Sequence, residues 1–158
     1  MATEIERKFL LRDNSWRKLA HKHKDISQGY LANTDKCSVR VRVAGDKASI
    51  NIKSMTVDIV RSEYEYPLPV EEAEAILHTL CVQPLICKTR YFVKQQDHLW
   101  EIDVFDGDND GLVIAEIELD SRDEDFSRPD WLGKEVSDDI RYFNISLVKN
   151  PYCLWRSE

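Results

Sequence analysis

The sequence predicts a mainly β fold of the α+β class, an eight-stranded antiparallel β-barrel with flanking helices and a C-terminal helix. Over most of the chain, short segments alternate charged and apolar residues with a period of two, which is typical of β-strands. Turn residues such as Gly45-Asp46 separate consecutive segments and indicate hairpins. Helical periodicity occurs only in a few short stretches, so the helices are expected to flank the barrel.

The strand period is clearest at the start of the chain. Glu4, Glu6 and Lys8 share one parity, and the apolar residues Ile5 and Phe9 occupy the other. The same alternation recurs along the chain and favours antiparallel connections. Strands are predicted at residues 3–11, 27–33, 37–44, 47–54, 57–67, 85–95, 98–105 and 112–119.

Helical spacing is clearest after Pro69, where Ala73, Ile76 and Leu77 recur at i, i+3 and i+4. The predicted helices are a short one at 13–23, an amphipathic one at 70–80 and a C-terminal one that opens at Asp138 or Asp139 and ends at Pro151, after an irregular stretch at 122–138.

Length, charge and cysteine usage narrow the class of protein. The 158 residues fit a single domain, residues 1–158. A net charge of −7 argues against nucleic acid or a membrane surface as the default partner. The sequence has neither a run of roughly 18 apolar residues nor the apolar segment of a signal peptide. Because the four cysteines form no CxxC pair, we expect reduced thiols and a cytoplasmic location.

The most informative pattern is a charged residue, any residue and a second charged residue, repeated on strand after strand. Residues i and i+2 of a strand point to the same face, so these strands have one charged and one apolar face. A single pair such as Arg40-x-Arg42 is typical of a solvated face, but repetition on most strands favours a barrel with its charged faces inward. The pattern occurs as Glu4-x-Glu6-x-Lys8, Arg40-x-Arg42, Arg61-x-Glu63-x-Glu65, Lys88-x-Arg90, Glu101-x-Asp103 and Glu116-x-Glu118, with Lys53 alone.

A lumen with many charges of both signs is expensive to desolvate when empty, and it makes chemical sense when it binds a ligand that carries both signs. A polyphosphate with divalent cations is such a ligand, since Arg and Lys bind phosphate oxygens and carboxylates bind Mg²⁺ or Mn²⁺. The pattern contains no His or Cys, which disfavours zinc, copper and iron. The sequence also lacks a GxxxxGK[ST] phosphate loop and a Gly-x-Ser-x-Gly nucleophile motif.

The ordered motifs resemble those of CYTH domains, the triphosphate tunnel metalloenzymes. Glu4-Ile5-Glu6-Arg7-Lys8-Phe9 matches the ExExK signature that opens the family, and the resemblance spans essentially the whole chain. ExExK alone is weakly specific, whereas the ordered set is strongly specific. The later matches are Arg40-Val41-Arg42, Ile52-Lys53-Ser54, Arg61-Ser62-Glu63-Tyr64-Glu65, Lys88-Thr89-Arg90-Tyr91, Glu101-Ile102-Asp103-Val104-Phe105, Glu116-Ile117-Glu118, Gly133-Lys134-Glu135-Val136 and Asp139-Ile140-Arg141-Tyr142.

The resemblance implies a tunnel that binds a triphosphate, and it implies roles for individual residues. The implied catalytic residues are Lys53, Arg42, Lys88 and Glu4. The implied substrate-binding residues are Lys8, Arg40, Arg42, Lys53, Arg61, Lys88, Arg90 and Arg141, the last of which would close one end. The implied ligands of Mg²⁺ or Mn²⁺ are Glu4, Glu6, Glu63, Glu116 and Glu118. Glu65, Glu101 and Asp103 are expected as further ligands or as partners that fix the basic residues.

The short bacterial members of the family, which this chain resembles most, mostly favour inorganic triphosphate. The resemblance therefore implies a divalent-metal-dependent hydrolase that converts tripolyphosphate into pyrophosphate and phosphate. The expected partner is a small-molecule triphosphate, without nucleic acid or membrane, in a monomer or homodimer. The alternatives are a class IV adenylyl cyclase, a nucleoside or thiamine triphosphatase and, from another class, a non-catalytic module that binds polyphosphate or nucleotides.

Overall fold

The structure is a computed structural model that describes residues 3–56 and 58–155. Among the described helices, none combines the length and hydrophobicity that a bilayer crossing requires. Short 3₁₀ turns cover Ser15–Leu19, Gly107–Asn109, Ile140–Tyr142 and Tyr152–Leu154. The strands and α-helices are β1 (Thr3–Leu11), β2 (Lys22–Asn33), β3 (Cys37–Ala44), β4 (Lys47–Ser54), β5 (Val60–Leu68), α1 (Val70–Thr79), β6 (Ile86–Gln95), β7 (His98–Phe105), β8 (Val113–Glu118), β9 (Leu132–Glu135) and α2 (Asn144–Lys149).

Eight strands form a closed antiparallel barrel. Their order is β5-β4-β3-β2-β6-β7-β8-β1, and β1 also pairs with β5. The closing register places Glu4 opposite Arg61, and further along β1 Lys8 lies opposite Glu116 of β8. The ninth strand, β9, pairs with the C-terminal part of β1. The predicted eight-stranded antiparallel barrel is therefore confirmed.

The alternating sequence gives most strands an outer face that packs against other elements, whereas Tyr64 and Tyr66 on the outer face of β5 stay about half exposed. Val41 of β3 is fully buried in a cluster with Ala73 and Leu77 of α1. On the other side, Ile102 and Ile117 lie in a buried cluster that also contains three tryptophans, Trp16, Trp100 and Trp131. This burial supplies the main stabilisation, roughly 25 cal/mol for each Å² of apolar surface removed from water.

The inward face is not charged along its whole length. Ile86, Phe105 and Ile114 lie two residues from the charged inward residues of β6, β7 and β8 and share their face. They form a buried cluster with Tyr142 and Leu147 of the C-terminal segment. The charged part of the lumen is therefore bounded on this side by apolar side chains.

The prediction of a helix at 13–23 is wrong. Only the 3₁₀ turn at Ser15–Leu19 forms, and β2 already begins at Lys22. Residues 22–25 extend β2 because they pair with β6, where Lys22 lies opposite Phe92. The local sequence, Lys-His-Lys-Asp, has no apolar alternation that indicates a strand.

The C-terminal third also differs from its predicted form. The stretch predicted to be irregular contains β9, and the predicted C-terminal helix begins later, at Asn144. Asp139 instead caps a 3₁₀ turn, since its side chain accepts a hydrogen bond from the Arg141 amide. The strand predicted for 57–67 begins at a position outside the described residues, and β5 starts at Val60.

Gly133 should be essential for the docking of β9. A Cβ atom at this position would lie 2.8 Å from the carbonyl oxygen of Leu10, a backbone atom that has little room to move. We expect Gly133→Ala to lower the free energy of unfolding by about 1–3 kcal/mol in urea titrations. The exposed neighbour provides the control, Lys134→Ala, with a change within about 0.5 kcal/mol. Unchanged stability of Gly133→Ala would contradict the tight approach of β9 to β1.

Candidate active site

The charged strand faces enclose a cavity of about 250 Å³ inside the barrel. Nearly all of the predicted site residues line it, and the lining brings together side chains from seven strands. They are Glu4, Glu6, Lys8, Arg40, Arg42, Lys53, Glu63, Lys88, Arg90, Glu116 and Glu118, accompanied by Asn51, Glu65, Glu101 and Asn144. We call this cavity the lumen.

Carboxylates crowd one wall of the lumen. Glu6 lies directly opposite Glu118 in the β1–β8 pair, and Glu101 lies opposite Glu116 in the β7–β8 pair. Like charges that face each other across a sheet are destabilising. Burial raises the pKa of Glu118, and the negative charges of Glu4 and Glu6 raise it further. This acidic wall is therefore short of positive charge.

Lys53 is the cation set among these carboxylates. Its Nζ lies 3.2 Å from Glu4 Oε2 and 3.3 Å from Glu63 Oε2. Burial alone would lower the pKa of Lys53, but the carboxylates, Glu6 foremost, raise it above its ordinary value. Glu4 Oε2 is buried and accepts no hydrogen bond from the described residues. This oxygen is therefore held by the charge of Lys53 and can still accept a hydrogen bond.

The acidic wall fits a hard divalent cation in charge and in donor type. Carboxylate oxygens are the protein ligands that Mg²⁺ and Mn²⁺ prefer. In residues 3–56 and 58–155, no three acidic, imidazole or thiol side chains already converge as in a preformed metal centre. The carboxylates would therefore have to rearrange around an ion, and so would Lys53, whose Nζ lies 3.2 Å from Glu4 Oε2.

Arginines from β3 form the opposite, basic wall. Within the described chain, neither Arg40 nor Arg42 has a carboxylate at ion-pair distance. Arg40 is buried with an unpartnered Nε, and Arg42 donates its Nε to Gln28 Oε1 at 3.0 Å. Burial, together with the charges of Arg40 and Arg90, lowers the pKa of Arg42 to about 9, which leaves it charged at neutral pH. Two guanidinium groups with available N–H donors, one buried and one half-buried, suit an anion in charge and in donor type.

A buried ion-pair network separates the two walls. Asp103 is fully buried and accepts two hydrogen bonds from Arg90, at 2.7 and 2.9 Å. It also forms an ion pair with Lys88 at 2.7 Å. Arg90 also lies 3.3 Å from Glu101. Burial lowers the pKa of Lys88 to about 7, although Asp103 acts in the opposite direction. Asp103 is thus a partner that fixes the basic residues, which is one of the two roles expected for it.

A second cavity of about 340 Å³ adjoins the lumen beside α2, and we call it the mouth. Arg61 lines the mouth, with its guanidinium carbon 4.5 Å from the centre of the Phe143 ring. Arg141 lines neither cavity; its guanidinium pairs with Asp139 at 2.8 Å and lies over Trp155. Its predicted contact with substrate stays a prediction.

Sequence reasoning missed two polar residues of the site, Gln28 and Asn144. Gln28 is fully buried and Asn144 nearly so, and they bond to each other and to the basic residues. Gln28 lies on the predicted strand 27–33, but its neutral side chain is not part of the pattern of charged residues that predicted the site. Asn144 is the first residue of α2, and a single asparagine there carries no signal without the tertiary structure.

Comparison with known proteins adds independent information. Residues 2–152 match the CYTH domain. The chain is 47% identical over 152 residues to an inorganic triphosphatase of Acetivibrio thermocellus, covering 96% of this chain and 97% of that protein. It is 37% identical to an inorganic triphosphatase of Nitrosomonas europaea, covering 92% and 97%. The crystal structure of the inorganic triphosphatase NE1496 is similar with a TM-score of 0.66 at 33% identity, covering 100% of this chain and 99% of that one.

The network around Asp103 leads to a stability prediction. Asp103→Asn should lower the free energy of unfolding by about 3–5 kcal/mol, because Arg90 and Lys88 lose their shared buried counter-charge. Burial alone would raise the pKa of Asp103, but the charges of Arg90 and Lys88 lower it overall. Its contribution is therefore present above the unfolded-state pKa of about 3.9 and is lost as the pH falls through the lower folded-state value.

Denaturant titrations of wild type and Asp103→Asn across this pH range measure the effect. The gap in stability should be present above about pH 4 and shrink at lower pH. Asp108→Asn, at an exposed position just after β7, is the matched control and should match wild type throughout. A gap that widens on acidification would refute this account of Asp103.

Proposed function

Because this chain belongs to the CYTH domain family, we propose that it is an inorganic triphosphatase, which hydrolyses tripolyphosphate to pyrophosphate and phosphate inside the lumen. One observation carries the proposal: the charges that line the lumen are separated and unbalanced. In the described chain, Arg40 and Arg42 lack counter-ions, and Glu118, which faces Glu6 across the β1–β8 pair, has no cation at ion-pair distance. A tripolyphosphate with a divalent cation supplies both of the missing charges.

The basic residues bind the phosphate oxygens. Arg42 has used only its Nε, so its two terminal nitrogens can grip a phosphate bidentately. Lys88 has three N–H donors, of which Asp103 and Asn144 accept two, so one remains for the substrate. Lys8 lies no closer than 3.9 Å to its carboxylate neighbours and keeps its donors available. Their positive charge stabilises the charge that develops on the phosphate oxygens in the transition state.

We assign the metal to the acidic wall, with Glu4, Glu6, Glu63, Glu116 and Glu118 as the residues that would hold it. When bound there, Mg²⁺ or Mn²⁺ neutralises phosphate charge and makes a coordinated water more acidic. The carboxylates also act by themselves. Glu4 orients the attacking water and accepts its proton at Oε2, which accepts no hydrogen bond in the described chain and has Lys53 Nζ 3.2 Å away. Water then attacks the terminal phosphorus, the bond to the bridging oxygen breaks, and pyrophosphate leaves with the electron pair.

The site and the cysteines bear on the oligomeric state and the location of the protein. All of the assigned side chains come from one chain, so a monomer contains the complete site and a homodimer would contain two. The four cysteines are unpaired thiols, which supports a cytoplasmic location.

A triphosphate with an organic substituent is the second candidate substrate. The partly apolar lining of the mouth favours it. Tyr30, Met55 and Phe143 give one side of the mouth an apolar surface beside the lumen. Trp16 and Trp100, by contrast, are fully buried in the outer core and are unavailable for stacking on a base. A nucleoside or thiamine triphosphate would place its organic group in the mouth.

Parallel assays should identify the substrate. We expect fast release of phosphate and pyrophosphate from tripolyphosphate with Mg²⁺ or Mn²⁺, slow turnover of ATP, GTP and thiamine triphosphate, and none in EDTA. Conversion of ATP to cyclic AMP and pyrophosphate would instead indicate a cyclase. If tripolyphosphate raised the melting temperature without any turnover, the protein would be a binding module.

Removal of one cation from the lumen should nearly abolish turnover. Arg42→Ala and Lys53→Ala should each lower kcat/KM for tripolyphosphate by about 10²–10³-fold, because a charge that stabilises the transition state is lost. Steady-state kinetics measure the effect, and circular dichroism checks that the variants fold. Arg12→Ala, at an exposed position at the end of β1, should keep wild-type kinetics. Wild-type turnover by either lumen variant would refute the assigned site.

A further inference from the structure

Asn144 connects the two basic groups of the lumen through a chain of hydrogen bonds. Arg42 Nε donates to Gln28 Oε1 at 3.0 Å, and Gln28 Nε2 donates to Asn144 Oδ1 at 2.9 Å. Lys88 Nζ donates to the same Asn144 oxygen, also at 2.9 Å. Gln28 and Lys88 are almost completely excluded from solvent. The three bonds therefore form a buried network that begins and ends at a cation.

The cations fix the direction of every bond in this network. Guanidinium and ammonium groups can only donate hydrogen bonds, so each must meet an oxygen. Arg42 thereby orients the Gln28 carboxamide with its oxygen toward Arg42 and its nitrogen toward Asn144. Lys88 and Gln28 together orient the Asn144 carboxamide with its oxygen toward them. The nitrogen of Asn144 must consequently point away from the network.

That nitrogen faces open space where a ligand is expected. Asn144 lines both the lumen and the mouth. Its two N–H groups have no acceptor in the described chain. The nitrogen is nevertheless accessible to solvent, since it is not one of the buried atoms that lack a partner. The carboxamide oxygen is held by two hydrogen bonds, and the nitrogen is open to the cavity. This arrangement orients the N–H groups to bind an acceptor there.

We propose that Asn144 contacts the substrate directly, with its carboxamide N–H groups donating to a phosphate oxygen at the junction of the lumen and the mouth. This inference rests on the proposed function and extends it with a neutral donor from α2. A carboxamide adds a directed hydrogen bond without adding charge. It therefore selects a phosphate oxygen by its position, whereas the arginines attract the phosphate by charge. Asn144 also positions Lys88 and, through Gln28, Arg42.

Two variants separate the contact with substrate from the positioning of Lys88. Asn144→Ala removes the donor without adding charge, so a loss of binding cannot result from repulsion. Asn144→Asp keeps an oxygen acceptor for Lys88 and Gln28, so a loss of binding cannot result from a loosened network. Asn150→Asp, the same substitution at an exposed position just after α2, is the matched control.

Each protein is tested for tripolyphosphate affinity by titration calorimetry in EDTA, and for kcat and KM with Mg²⁺. We expect both Asn144 variants to bind tripolyphosphate roughly 10- to 100-fold more weakly than wild type, the range for a hydrogen bond to a charged acceptor. Their kcat/KM should fall by at least as much. Asn150→Asp should match wild type in both measurements, and thermal unfolding should show that Asn144→Asp remains folded.

The outcomes distinguish this inference from the proposed function. If Asn144→Asp bound tripolyphosphate as tightly as wild type, Asn144 would only position Lys88 and the inference would be wrong. If wild type bound tripolyphosphate without hydrolysing it, the proposed function would fail, while the binding data would still decide the role of Asn144. If wild type neither bound tripolyphosphate in EDTA nor hydrolysed it with Mg²⁺, both would be overturned.

Discussion

The pairing of β1 with β5 is the constraint on which the rest of the structure depends. In an open sheet the charged faces would lie in water, where ion pairs are screened and contribute little. Closure by the Glu4–Arg61 register turns the same faces into a lumen in which charges act at close range and with less screening. The apolar outer faces balance the desolvation of that lumen, since they bury residues such as Val41 and Ile117.

Charges within the lumen divide into groups with different roles. Arg90, Asp103 and Lys88 satisfy one another and form a rigid framework. The arginines of β3 lack counter-ions in the described chain, and the carboxylates of the acidic wall outnumber the cations that pair with them, Lys8, Lys53 and Arg90. The framework fixes the geometry, and under the proposed function the two unbalanced walls bind the ligand. Such a division reconciles a stable barrel with a strongly charged interior, because only the groups that meet a ligand remain unsatisfied.

The period-two pattern was sufficient to predict the barrel and most of the residues that line its lumen, because strand parity alone decides which side chains point inward. It failed where a partner elsewhere in the chain determines the structure. Residues 22–25 are strand because β6 pairs with them, and β9 exists because Gly133 fits against β1. Parity also placed Asp103 on the inward face, but it did not reveal that the carboxylate of Asp103 is already paired with Arg90 and Lys88. Asn144 was beyond prediction, since its role depends on where α2 docks.

The position of β1 in the barrel has a consequence for biosynthesis. This strand is made first, but its partners β5, β8 and β9 follow much later in the chain. At roughly 5–20 residues per second, the ribosome delivers β9 several seconds after β1. During that interval β1 has unpaired edges, and its alternating charges disfavour aggregation with other strands. The lumen likewise acquires its full lining only after translation has passed Asn144, so the nascent chain has no complete lumen until the barrel closes.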